Sequence, residues 1–152
     1  MKKKILTSIM CMIAFLSLAG CGKVKNEFDV GNESNIIIDE QDVSLSIKEG
    51  TLTKTGATLI LKNKSDKAFE YGNPYEIEIK KDGKWHKINV ELNFTMPAFS
   101  LKPQELKEIE INWSYGYGTL APGKYRIIKD VNFKTNEDTY EKFYVSAEFT
   151  IE

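Results

Sequence analysis

The chain is predicted to fold as an all-β antiparallel sandwich of about seven strands, and three observations carry that expectation. Apolar residues recur at every second position in short runs between residues 43 and 152. Clusters of Gly, Pro, Asn and Asp break those runs at short intervals. No stretch of this region carries the 3.6-residue period of an amphipathic helix.

The first twenty residues stand apart from that pattern. Lys2, Lys3 and Lys4 precede an apolar run from Ile5 to Leu18, about 14 residues long. A membrane-spanning helix needs about 20, so the run reads as an export signal. It ends in Leu18-Ala19-Gly20-Cys21, which resembles the lipobox of bacterial lipoproteins. The resemblance implies cleavage before Cys21 and a diacylglycerol on its thiol. Each buried methylene stabilises such an anchor by roughly 0.8 kcal/mol, so two chains attach it durably where one is marginal. Residues 21–42 read as a flexible tether, polar apart from Phe28 and Ile36-Ile37-Ile38, with a reach on the order of 25 Å. The isoleucine triplet reads as a short edge strand or a clip onto the sandwich.

From Val43 the domain begins and runs to Glu152. Val43, Leu45 and Ile47 alternate with polar neighbours, as on a strand with one wet face. Lys54-Thr55-Gly56 turns the chain into a central strand from Ala57 to Asn63. After the loop at Tyr71-Gly72-Asn73-Pro74, Tyr75, Ile77 and Ile79 face the core, with Glu76, Glu78 and Lys80 on the wet side. Asp82-Gly83 supplies the two positive-φ positions of a type I′ turn, and Trp85 to Val90 returns. Trp85 is out of phase with Ile88 and Val90, which suggests a bulge. Glu91 to Pro103 reads as a loop rich in apolar side chains. Ile109, Ile111 and Trp113 form the next inward row, followed by a glycine-rich connection and a strand from Lys124 to about Val131. A polar loop then leads to the last strand, with Phe143, Val145, Ala147, Phe149 and Ile151 inward.

Leu120, Pro122 and Tyr125 carry the spacing of a tyrosine corner, in which the hydroxyl bonds to backbone upstream and pins a crossing between sheets. With Lys48-Glu49-Gly50-Thr51-Leu52-Thr53, Thr55-Gly56-Ala57-Thr58, Tyr75-Glu76-Ile77-Glu78, Glu108-Ile109-Glu110-Ile111-Asn112-Trp113 and Pro122-Gly123-Lys124-Tyr125-Arg126-Ile127, the chain resembles a bacterial immunoglobulin-like domain of low-GC Gram-positive surface lipoproteins. The resemblance covers roughly Val43 to Glu152. It implies an immunoglobulin-like sandwich and no shared catalytic motif.

Composition narrows the function classes. The formal charge of −1 becomes −4 once the three leader lysines are removed, which offers nothing to nucleic acid. Cys11 leaves with the leader, so Cys21 is the only cysteine of the mature chain and no disulfide can form within it. His86 is the only histidine and reads as a surface residue, which disfavours a triad or a zinc site. Asp130, Asn132 and Glu141 match part of a calcium loop, but Lys134 and Thr135 stand where an oxygen ligand and a glycine belong. Gly116-Tyr117-Gly118 lacks the rest of a dinucleotide fingerprint. Glu108 and Glu110 fall on a wet strand face with no implied cleft. No metal or cofactor is implied.

Exposed aromatic loops are the remaining candidates for binding: Phe94, Met96 and Phe99 in one, Trp113, Tyr115 and Tyr117 in another. A sandwich end must be plugged, however, and loop aromatics usually fold back to do it, which is the stronger reading of both sets. Strands running alternately up and down put loops 63–74, 91–103 and 130–142 at the tethered pole. Loops 49–56, 81–84 and 114–123 fall at the other. The expected function is a non-enzymatic, lipid-anchored cell-surface protein with a recognition or structural role. It would touch the membrane through the diacylglycerol on Cys21 and meet a protein, peptide or glycan partner. An exported peptidase inhibitor working through its loops is the alternative.

Overall fold

The computed structural model describes residues 28–137 and 139–152. The leader, Cys21 and residues 22–27 lie outside the described residues. Among the described residues, ten strands form two antiparallel sheets that face each other across one core. The smaller sheet has β2 (Val43–Ile47), β3 (Gly56–Asn63) and β8 (Leu106–Asn112), with β3 central. Its inward row of Val43, Leu45, Ala57, Leu59, Leu61 and Ile111 is buried, as the period-two pattern requires.

The larger sheet runs in the order β1 (Val30–Glu33), β6 (Lys84–Ile88), β5 (Glu76–Lys81), β9 (Gly123–Asn136), β4 (Phe69–Tyr71) and β7 (Phe99–Leu101). Its remaining strand, β10 (Thr139–Ile151), pairs along the whole of β9. The long β9 therefore organises this sheet. Its first half pairs β5, its second half pairs β4, and its other edge belongs to β10.

Three strands exceed the expected seven, and each is short. β4 and β7 lie in stretches read as loops, where three residues are too few to show a period. The region 130–142 is also mostly strand, because polar residues there line the outward face of the β9–β10 hairpin. A helical turn, α1 (Ser114–Tyr117), follows β8. The Asp82-Gly83 turn has φ values of 51° and 79°, as its type requires. No bulge interrupts β5–β6, where Lys80 faces Trp85 and Glu78 faces Lys87. Trp85 is out of phase because it lies on the outward face. The irregularity belongs to β1, whose Val30 and Glu33 oppose Ile88 and His86.

Residues 28–42, within the span read as tether, lie on the sandwich. β1 adds to the β6 edge, and residues 34–42 then cross the outward face of the large sheet like a strap. Ser34 N–H donates to the Trp85 carbonyl at 2.8 Å, and Asp39 N–H to the Tyr144 carbonyl at 2.8 Å. Ile36 and Ile38 turn toward the sheet while Ile37 stays exposed, so the isoleucine triplet acts as a clip.

Beneath this strap is a charge pair. Glu78 is fully buried, against the expectation of a wet face, and Arg126 stands opposite it on β9. Arg126 Nε and Nη2 both donate to Glu78 Oε2 at 2.7 Å, and the guanidinium lies 4.8 Å from the Trp85 ring centre. Removing one partner of such a pair leaves an uncompensated buried charge, which costs about 3–5 kcal/mol. Arg126→Ala should therefore lower the urea unfolding free energy by about that amount. Arg126→Met combined with Glu78→Leu should lose much less, since no stranded charge remains.

Candidate functional site

The pole around α1 is closed by aromatic side chains, and two of the expected binding aromatics, Trp113 and Tyr117, serve there. Trp113 is fully buried, and its indole N–H donates to the Lys54 carbonyl at 2.9 Å. The ring stacks on Phe149 at 5.5 Å, and Phe149 stacks in turn on Tyr125 at 5.6 Å. The Tyr125 hydroxyl donates to the Ala121 carbonyl, four residues upstream, at 2.8 Å, which is the bond a tyrosine corner makes. Leu120 is buried beside it, and Pro122 remains exposed at the turn. Tyr117 is buried, so neither Trp113 nor Tyr117 is available to a partner.

Two loops expected at opposite poles meet. Leu92 packs so closely on Gly116 that a Cβ there would fall 2.0 Å from the leucine, a spacing only glycine permits. Tyr75 bridges the same contact, 5.2 Å from Phe94 and 6.1 Å from Tyr117. The expected placement failed because Leu92 and Phe94 do not stay at the tethered pole but lie along the flank beside Ile109 and Ile111 of β8. Phe94 is thus half-buried, and Phe99 is partly covered by Tyr71 at 5.4 Å. Met96 and Tyr115 alone of the six stand free in solvent, 80% and 94% exposed.

One of the hollows among the described residues lies beside β5. β6 pairs β5 only from Glu78 to Lys81 and then diverges, so Glu76 and Ile77 of β5 are not paired by β6. There the Ile77 N–H donates to the Tyr117 hydroxyl at 2.9 Å. A groove of about 470 Å³ wraps this edge. Tyr75, Ile77, Ile88, Val90 and Phe94 line one side, with Glu76, Glu78 and Tyr144 on the other. A second hollow of about 550 Å³ under the strap continues it, sharing Glu76, Lys87, Lys142 and Tyr144. Glu78 also holds an unusual atom. Both of Arg126's bonds go to Oε2, and Oε1 is buried with no hydrogen-bond partner among the described residues. A buried acceptor left unmatched costs about 1–3 kcal/mol.

The comparisons with known proteins agree with this architecture. Residues 39–150 match the family model described as a bacterial Ig-like domain. The chain belongs to that family. As a member, this bacterial Ig-like domain also shows similarity to a solved ASH/PapD-like domain of human CEP192, PapD-like domain 7. The two are 12% identical with a TM-score of 0.34, over 80% of this chain and 99% of that one, and the likeness carries no further argument. No curated protein matches the chain.

His86 is half-buried on β6, with Nδ1 3.4 Å from the Gly31 carbonyl of β1. Asp130, Asn132 and Glu141 lie on paired strands, not in a calcium loop. Among the described residues, no three His, Cys, Asp or Glu side chains are grouped as metal ligands. Glu78, Arg126 and Lys129 are the residues that sequence reasoning missed. One signal was readable: Arg126 is the only arginine among 21 basic residues. A guanidinium is more weakly hydrated than an ammonium and suits a buried ion pair. Lys129 gave no such signal. It points into the core, and its ammonium donates to the Gly72 and Pro74 carbonyls at 2.8 and 3.0 Å, holding the loop that leads into β5.

These placements set the response to substitution and to pH. Trp113→Ala should lose about 3–5 kcal/mol, the range for a large buried ring. Tyr115→Ala and Met96→Ala should stay within about 0.5 kcal/mol in urea unfolding, as exposed positions do. Burial lowers the Lys129 ammonium to about 8, with the Asp130 charge opposing the shift. The unfolded chain then binds this proton more tightly. Stability should accordingly rise as pH climbs from about 8 toward the ordinary lysine value of 10.5. Burial also raises Tyr71, Tyr75, Tyr117 and Tyr125, so their contribution falls once pH exceeds about 10. Urea midpoints between pH 7 and 10 should increase above pH 8, and Lys129→Met should flatten that rise.

Proposed function

We propose that the protein is a lipid-anchored, non-catalytic recognition module displayed on the outer side of the cell membrane. The observation that carries this reading is Leu18-Ala19-Gly20-Cys21 at the end of a short apolar leader, with the Ig-like domain beginning close behind it. Diacylglycerol on Cys21 is the attachment, and few residues separate it from Phe28, the first of the described residues. The domain is therefore held near the lipid surface. A lock on its position by two acyl chains leaves the groove and the exposed loop tips as the surfaces that meet a partner.

The peptidase-inhibitor alternative gains no support from the loops it would use. Leu92 and Phe94 lie against the flank of the sandwich, and Trp113 and Tyr117 are core residues. An inserted loop needs those side chains outward.

Fractionation of cells grown with labelled palmitate tests the anchor. The native chain should carry label and sediment with membranes. Cys21→Ser should lose the label and the membrane attachment of the mature chain, with an unchanged urea midpoint for the sandwich. Recovery of the Cys21→Ser variant as mature, membrane-bound protein would falsify the reading.

A further inference from the structure

The small sheet ends in an open edge. β8 pairs β3 along one side, and no strand lies against its other side among the described residues. Trp113 N–H donates to the Thr55 carbonyl and Asn63 N–H to the Glu105 carbonyl, one at each end of the β3–β8 ladder. The alternation of an antiparallel ladder therefore turns the main-chain groups of Leu106, Glu108, Glu110 and Asn112 away from β3. Of these, the Asn112 carbonyl accepts from the Tyr75 hydroxyl at 3.4 Å. The N–H and C=O groups of Leu106, Glu108 and Glu110 have no partner among the described residues, and all three residues are exposed. Such a row is a template for a further strand.

Two features name the strand that fits. Leu106, Glu108 and Glu110 form the outward row of side chains along this edge. Glu108 holds Lys48 Nζ at 2.8 Å, and Glu110 forms no ion pair among the described residues. An added strand sets its own outward side chains opposite this row, where basic residues are favoured and acidic ones repelled. A second copy of β8 is repelled, because every antiparallel register that overlaps most of the strand sets one of these glutamates against another. On the inward side, a hollow of about 300 Å³ lies between β8 and the flanking segment at Leu92 and Phe94. Tyr75, Ile109 and Ile111 complete its apolar lining, which suits the alternate side chains of an added strand. We propose that the β8 edge binds an extended segment of a partner protein in which basic and apolar residues alternate. Its basic side chains lie opposite Glu108 and Glu110, and its apolar ones enter the hollow beside Ile109 and Ile111. The proposal rests on the recognition role given above, and adds the β8 edge to the surfaces that serve it.

The test uses the full chain in phosphatidylcholine nanodiscs, whose zwitterionic surface does not attract a cationic peptide, with 15N-labelled amides followed by NMR. The probes are acetylated, amidated hexapeptides in which Lys alternates with Val, Leu, Ile, Phe or Tyr. Binding should shift the amides of Leu106, Glu108 and Glu110 and leave Ser44 and Ser46, on the opposite edge of the same sheet, unmoved. Methylating the main-chain nitrogen of every second peptide residue should abolish binding in one phase and spare it in the other. Glu110→Lys should weaken binding about tenfold. A peptide with Glu in place of Lys should in turn bind that variant more tightly than it binds the native chain.

Equal binding of hexapeptides with all their lysines grouped at one end overturns the proposal, as does the absence of any binding peptide. Loss of binding in both methylated phases, or in neither, overturns it as well. Concentration-dependent movement of the same amides without peptide would make a second copy the occupant. Their movement on deleting residues 22–27 would make the chain's own segment the occupant, and either result overturns the proposal. The anchor experiment reads membrane attachment alone, so failure of peptide binding and failure of the anchored role remain distinguishable.

Discussion

The buried pair of Glu78 and Arg126 constrains everything around it. Two charges on the outward face of a sheet are tolerated out of water only when they are matched and covered. Here the match comes from two donors on one oxygen, and Trp85 lies over the guanidinium. The cover comes from the chain before β2, where Ser34 Oγ accepts from Arg126 Nη2 at 3.4 Å. The strap is thus part of the fold and not a leash for it. The second carboxylate oxygen of Glu78 is the remainder left by this arrangement, buried with no hydrogen-bond partner among the described residues.

Cohesion elsewhere comes from side-chain packing and a few shared carbonyls. Lys54 accepts from both the Trp113 indole and the Leu120 amide, drawing the β2–β3 connection against the end of β8. Asn63 does equivalent work at the other pole. It is fully buried, and its amide donates to the carbonyls of Lys67, Leu101 and Lys102. These bonds tie the small sheet to β7 of the large one. Aromatic residues that would be attractive as exposed contacts are taken up in closing the sandwich.

The sandwich was legible because its inward rows are long and regular. β3 and β10 alternate without interruption, and the Asp82-Gly83 turn and the Leu120 to Tyr125 corner have sequence forms tied to single geometries. The site was much less legible. Glu78 sits between two isoleucines in the same pattern as Glu76 and Lys80, and local periodicity cannot distinguish a covered outward face from a wet one. The cover is supplied by residues about forty positions earlier, which composition assigns to a tether. Lys129 is hidden similarly, since its carbonyl partners lie in a loop far back in the sequence. Loop aromatics were ambiguous for the opposite reason: the same ring can plug or bind, and only tertiary contacts such as Leu92 on Gly116 decide.

Central to all of this is the strap that covers Glu78 and Arg126, held by the Ser34 and Asp39 amides on the Trp85 and Tyr144 carbonyls. Amide hydrogen exchange of Ser34 and Asp39, followed by NMR in the native chain, reads that cover directly. Both amides should exchange far more slowly than those of an unfolded chain. Exchange at the unfolded-chain rate would contradict the cover.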